Sequence, residues 1–105
     1  MPTSDQIQRT AQLLAERFRP QKIILFGSQA HGMARADSDA DLLIVLPFDC
    51  SDYRMMGDML NAIYPITGFD LIPQTPERLA ARYRGGDSFI RDAIDRGIVL
   101  YEAAA

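Results

Sequence analysis

Apolar residues recur along the chain at two spacings, one typical of amphipathic helices and one typical of buried strands. Helical spacing marks four segments: residues 4–18, 51–64, 76–84 and 87–96. Short apolar runs predict four strands: residues 22–27, 40–46, 67–73 and 98–102. Thr3 with Gln6 predicts a capping box at the first helix, and Thr75 followed by Pro76 predicts the start of the third.

This order of elements predicts the fold class. Helices alternate with short apolar strands, and a further short helix can begin at Ser28. We expect an α+β (α/β-like) protein with a small mixed β-sheet of three to four strands and helices mainly on one face. With 105 residues and no linker or repeat, we expect residues 1–105 to form a single domain.

The helix predicted over residues 51–64 has its apolar residues on one stripe, which we assign to the core: Tyr53, Met56, Leu60, Ile63 and Tyr64. Met55 and Met59 lie four residues apart and off that stripe. Methionine suits adaptable contact surfaces, although filling gaps in a core is its more common use. Both interpretations stay open for this pair.

Composition narrows the classes of function. The net charge of -3 argues against a protein that simply coats nucleic acid or anionic lipid. The single cysteine, Cys50, excludes an internal disulfide and a cysteine-based zinc site. The first ten residues lack the apolar region of a signal peptide, and no apolar run has the length of a membrane helix. We therefore expect a cytoplasmic protein without direct nucleic-acid or membrane binding.

Gly27 and Ser28 follow the first predicted strand. Free backbone N–H groups at the start of a helix after a strand can bind a phosphate, and glycine allows its close approach. The Ser28 hydroxyl can add a hydrogen bond. Taken alone, such a pair is more often an ordinary turn and helix cap, so it is a candidate nucleotide-binding site that needs further support.

Three aspartates are candidate ligands of a metal ion. Asp39 and Asp41 lie two apart at the start of a predicted strand, so their side chains project to the same side. Two such carboxylates can share divalent ions, and magnesium prefers oxygen ligands. Asp70 interrupts an apolar run, where a carboxylate is costly unless it is bound or at the end of the sheet. Solvated positions in a turn and on a half-exposed strand are the alternatives.

The joint pattern resembles the nucleotidyltransferase superfamily to which DNA polymerase beta belongs. Gly27-Ser28 is followed by ten residues and then by Asp39-x-Asp41, as in the minimal nucleotidyltransferase domains of that superfamily. Further positions fall on the same pattern: Ala30, Gly32, Arg35, Ser38 and Leu42. His31 departs from it, because many relatives carry arginine there. Whether His31 and Arg35 contribute to the site stays open.

The resemblance implies a nucleotidyltransferase fold and a magnesium-dependent transfer of AMP from ATP to a hydroxyl group. It implies that Asp39, Asp41 and Asp70 are catalytic and bind two Mg²⁺ ions, and that Gly27 and Ser28 hold the β- and γ-phosphates. Asp70 would also help to activate the acceptor hydroxyl.

Stand-alone domains of this kind are typically paired with a helical HEPN-domain protein. The resemblance therefore implies an antitoxin that modifies a tyrosine of a HEPN toxin and forms a hetero-oligomer with it. The alternative is a catalytically silent binding module that keeps the fold and neutralises its partner by steric contact. Retention of all three carboxylates favours the enzyme.

Overall fold

The computed structural model of the chain describes residues 2–27 and 39–104. Its elements, in chain order, are α1 (Ser4–Phe18), β1 (Lys22–Phe26), β2 (Ala40–Val45), α2 (Asp52–Ile63), β3 (Phe69–Gln74), α3 (Pro76–Arg84), α4 (Ser88–Arg96) and β4 (Ile98–Glu102). Each agrees in type with a predicted segment, and no end differs by more than two residues. The short helix predicted from Ser28 lies outside the described residues.

The helix starts follow the predicted capping chemistry. The Thr3 hydroxyl accepts a hydrogen bond from the backbone N–H of Gln6, and the Gln6 side chain accepts one from the backbone N–H of Thr3. Thr75 caps α3 in the same way, with Pro76 at the first helical position. Both predicted caps are therefore confirmed.

The four strands form one mixed sheet in the order β3-β2-β1-β4. β1 runs antiparallel to both β2 and β4, whereas β2 and β3 run parallel. The end of β1 therefore lies beside the beginnings of β2 and β3, so residues from three separate parts of the chain meet at one end of the sheet.

Apolar side chains cover both faces of this sheet. The larger core lies under α1 and α2 and includes Leu14, Ile23, Leu42, Ile44, Met59 and Ile63. The smaller core lies under α3 and α4 and includes Ile24, Phe26, Leu43, Val45 and Ala93, with Leu79 packed against it.

The structure confirms the predicted mixed α+β sheet but divides the helices between its two faces more evenly than expected. Leu42 and Leu43 explain why. They are neighbours in β2 and therefore point to opposite faces of the sheet, and both are buried. A strand that is apolar on both faces needs cover on both.

The orientation of α2 differs from the prediction. Tyr53 and Tyr64 are 84% and 81% exposed, whereas Met59 and Ile63 are buried against the sheet. The core side of α2 therefore contains Met59, which the sequence pattern places off the core stripe. The reason is that α2 has two apolar stripes at helical spacing, and periodicity alone does not decide which one faces the sheet.

Among the residues that the structure describes, no helix is both long enough and apolar enough to cross a membrane.

Gly57, in the middle of α2, provides a test of this packing. A Cβ atom built there meets no atom of the described residues within 4 Å. Because glycine is unfavourable in a helix interior, Gly57→Ala is expected to raise the free energy of unfolding by about 0.5–1 kcal/mol. Denaturant unfolding of the isolated chain measures the change.

Gly97 is the matched control. A Cβ atom there would collide with the Ala93 carbonyl oxygen and with the Ile24 side chain. Gly97→Ala is therefore expected to lower stability by about 1–3 kcal/mol. Equal effects of the two substitutions would contradict the packing described for α2 and α4.

Candidate active site

The three aspartates identified in the sequence lie at the same end of the sheet. Asp41 and Asp70 are the second residues of β2 and β3, and they are direct partners in the parallel register. Asp39 immediately precedes β2. The strand that carries Asp70 is thus the neighbour of β2, which is the arrangement that a cluster of three carboxylates requires.

Strand alternation determines which face these acids point to. Leu43 and Val45 lie on the same side of β2 as Asp41, and both pack in the smaller core under α3 and α4. Ile72 gives the same assignment for Asp70 on β3, because it too packs against that core. Both carboxylates therefore project from the α3/α4 face.

Burial and neighbouring acids disfavour the charge on Asp41. Burial has the largest effect, followed by the negative charge of Asp70, a hydrogen bond with its side chain and the charge of Asp39; together they raise the pKa of Asp41 to about 6. A hydrogen bond between two carboxyl groups requires a proton on one of them. A cation bound between Asp41 and Asp70 would favour the charged form of both.

Gly27 forms the wall of the site on the β1 side. Its φ of +76° is a conformation that glycine adopts readily and other residues rarely adopt. A Cβ atom at this position would lie 2.6 Å from Oδ2 of Asp41. The absence of a side chain therefore brings the backbone after β1 directly against a carboxylate. Ser28, His31 and Arg35 lie outside the described residues.

The donor atoms fit a hard divalent cation in type. Asp41 and Asp70 offer carboxylate oxygens, which magnesium and calcium prefer over nitrogen or sulfur. Within residues 2–27 and 39–104, however, no three His, Cys, Asp or Glu side chains are already arranged around one point as a cation site. Asp41 and Asp70 form the close pair, while Asp39 acts on Asp41 through its charge.

Phe89 lies near these acids and was not singled out from the sequence. Its ring is half-exposed and packs edge-to-face on Phe26, with 5.1 Å between ring centroids. Phe26 is the β1 partner of Asp41 in the antiparallel register. No sequence spacing links Phe89 to the aspartates; only the pairing of β1 with β2 and the docking of α4 reveal the proximity.

A groove of about 780 Å³ lies at the opposite end of the sheet. Lys22, Val45 and Glu102 line it, together with residues of α3 and α4. None of the three aspartates lines it, so the chemistry identified above is located at the acidic end of the sheet rather than in this groove.

The sequence profile of the nucleotidyltransferase domain family matches residues 7–100 of this chain. The match covers most of the chain, including Gly27 and all three aspartates. The chain therefore belongs to the nucleotidyltransferase domain family. A search of curated proteins finds no significant match.

Solved structures agree with this fold. A toxin–antitoxin structure with AMP-PNP is 18% identical, with a TM-score of 0.61 over 91% of this chain and 73% of that chain. A Sulfolobus solfataricus protein assigned as a nucleotidyltransferase is 19% identical, with a TM-score of 0.58 over 90% and 84%. The toxin–antitoxin structure MntA–HepT is 16% identical, with a TM-score of 0.54 over 93% and 73%. At these identities the likeness establishes the fold.

The raised pKa of Asp41 predicts how stability depends on pH. Because the pKa of Asp41 in the folded protein lies above that of a free aspartate, the stabilisation from the protonated form is complete below about pH 4 and is lost as pH rises through about 6. In metal-free buffer, the free energy of unfolding should therefore fall by about 1 kcal/mol less in Asp41→Asn than in the wild type as the pH rises. A shift of two pKa units corresponds to roughly 3 kcal/mol, but solvent screens a partly exposed carboxylate, so the expected effect is smaller.

Denaturant unfolding with a chelator present measures the free energy of unfolding of each variant at about pH 4 and at about pH 8. Asp58→Asn is the matched control, since it makes the same change at an exposed position of α2. If the free energies of unfolding of Asp41→Asn and Asp58→Asn depend on pH in the same way, burial does not disfavour the charge of Asp41.

Proposed function

We propose that this chain is a magnesium-dependent nucleotidyltransferase that transfers AMP from ATP to a tyrosine hydroxyl of a helical HEPN toxin. By modifying the toxin it acts as the antitoxin of the pair, in the cytoplasm. The observation that carries the proposal is the pairing of Asp41 with Asp70 beside Gly27, in a chain of the nucleotidyltransferase domain family.

The carboxylates have distinct roles in this proposal. Asp39 and Asp41 would hold two Mg²⁺ ions, and Asp70 would hold the ion nearest the acceptor. Bound magnesium supplies the positive charge that stabilises the negative charge developing on the α-phosphate and on the departing pyrophosphate. The raised pKa of Asp41 supports this assignment, because a carboxylate that is disfavoured when charged gains most from a cation.

The transfer forms one bond and breaks another. The tyrosine oxygen attacks the α-phosphorus, and the bond from that phosphorus to the bridging oxygen of pyrophosphate breaks. Asp70 accepts the proton of the hydroxyl on a carboxylate oxygen. Gly27 brings its backbone close to the phosphates, and Ser28 adds a hydroxyl donor.

In this proposal a partner protein presents the acceptor. In residues 2–27 and 39–104 the four helices and four strands all build or cover the sheet, and no separate domain holds an acceptor. Three of the structures similar to this chain are toxin–antitoxin structures, one of them with the ATP analogue AMP-PNP. Both observations support a second protein as the substrate.

The decisive test incubates the chain with ATP labelled on the α-phosphate, magnesium and a helical HEPN-domain protein as the acceptor. Label is expected on a tyrosine of that protein, and the label should be lost when a chelator removes magnesium and regained when magnesium is restored. Asp41→Asn and Asp39→Asn should each slow transfer by a factor on the order of 10² or more, because charge stabilisation by a metal contributes several kcal/mol.

Asp58→Asn is again the control and should transfer label at the rate of the wild type. If no label is transferred and both the wild type and Asp41→Asn bind the partner tightly, the chain is a catalytically silent binding module and not an enzyme.

A further inference from the structure

The half-exposed ring of Phe89 lies about one nucleoside length from the acids. Phe26 and Asp41 are partners in the antiparallel register, so their side chains project side by side from the α3/α4 face. The ring of Phe89 covers Phe26, which is only 3% exposed. Partner Cα atoms lie about 5 Å apart and the two ring centroids 5.1 Å apart, so Phe89 is on the order of 10 Å from Asp41.

The Phe89 ring keeps a face that Phe26 does not cover. The two rings are perpendicular, so Phe26 meets either the edge of Phe89 or one of its faces, and it cannot cover both faces. Phe89 remains 48% exposed despite this contact. An aromatic face that is open to water can stack on a nucleobase, which is itself a flat aromatic group.

The packing of α4 does not explain an aromatic ring at this position. Ile90 and Ala93 are fully buried and dock the helix against the sheet. A leucine at position 89 would also cover Phe26, since a branched apolar side chain fills a similar space. What a leucine would not provide is the flat face that Phe89 presents beside the acids.

Neighbouring residues fix the backbone that carries Phe89. The Asp87 carboxylate accepts a hydrogen bond of 3.1 Å from the Ile90 N–H and so caps α4. The same carboxylate pairs with the Arg82 guanidinium of α3, whose Nη2 lies 2.8 Å from Oδ2 of Asp87. A ring whose backbone is held in this way before a ligand arrives loses little conformational freedom on binding.

The other exposed rings lie away from the acids. Among the residues that the structure describes, the large exposed aromatic side chains are Tyr53, Tyr64 and Phe89. Tyr53 belongs to α2 and Tyr64 caps its C-terminal end, on the sheet face opposite the acids. Within the described residues, Phe89 is therefore the exposed ring on the face from which Asp41 and Asp70 project.

We propose that Phe89 binds the base of the nucleoside triphosphate by stacking and so helps to hold the α-phosphate at the acids. The proposal rests on the proposed function for the positions of the phosphates and the metal ions. The phosphates lie at Gly27 and the acids, and the nucleoside extends from them past Phe26 to Phe89. Because every base has a flat π-face, this contact supplies affinity for a nucleoside without selecting adenine.

The test compares a nucleotide with a ligand that lacks the base. AMP-PNP and inorganic tripolyphosphate are titrated, each with magnesium, into the wild type, Phe89→Leu and Phe89→Tyr. Phe89→Leu should raise the Kd for AMP-PNP by at least about fivefold, because the ring is lost, and leave the Kd for tripolyphosphate unchanged. Phe89→Tyr keeps the ring and should bind AMP-PNP with a Kd within about twofold of the wild type.

A fluorescent variant reports the contact directly. The chain contains no tryptophan, so Phe89→Trp introduces a single indole. AMP-PNP should change its fluorescence, whereas tripolyphosphate should not. Tyr53→Trp is the matched control, because it places an indole at an exposed position on the other face of the sheet, and neither ligand should change its signal. Denaturant unfolding verifies that each variant is folded.

The outcomes separate the two proposals. Equal AMP-PNP Kd values for the wild type and Phe89→Leu overturn the stacking contact, even if AMP transfer occurs. Equal losses of AMP-PNP and tripolyphosphate binding in Phe89→Leu overturn it too, since the ring then supports the site and not the base. Absence of AMP-PNP binding to the wild type overturns it as well. Absence of AMP transfer, with AMP-PNP binding still dependent on the ring, contradicts the enzyme and keeps the stacking contact.

Discussion

The parallel pairing of β2 with β3 is the constraint on which the candidate site depends. It places Asp41 directly beside Asp70, although 28 residues separate them in the chain. The antiparallel pairing of β1 with β2 then brings Phe26 opposite Asp41 and Gly27 against its carboxylate. A shift of one residue in either register would turn a carboxylate toward the opposite core, where an unpaired charge is strongly unfavourable.

The same pairing works against stability at the site. The partial burial of Asp41 and the carboxylate of Asp70 held beside it raise the pKa of Asp41, so the chain bears an unfavourable charge above about pH 6. The surrounding apolar residues of β1 and β2 offset it, since almost all of them are buried. Such an arrangement is typical of a site that binds a cation, because the ion relieves the repulsion that folding creates.

The sequence predicts most of the fold and part of the site. Capping residues and apolar runs are local signals, so Thr3, Thr75 and the four strands were predicted correctly. The side of α2 that faces the sheet was not, because Met59 and Leu60 both belong to apolar stripes and only packing against β2 and β3 selects between them. Asp39 and Asp41 are linked by spacing, whereas their proximity to Asp70 depends on strand order. Phe89 has no local signal at all.

The burial of β2 on both faces has a consequence for the motion of the site. From Leu42 to Val45 every side chain of this strand is buried, alternately in one core and the other, and strands lie on both of its edges. Amide groups in such a strand exchange with solvent only when much of the protein opens. We therefore expect Asp41 to stand at the end of a slowly exchanging segment, so that its backbone keeps its position when less buried parts of the protein open.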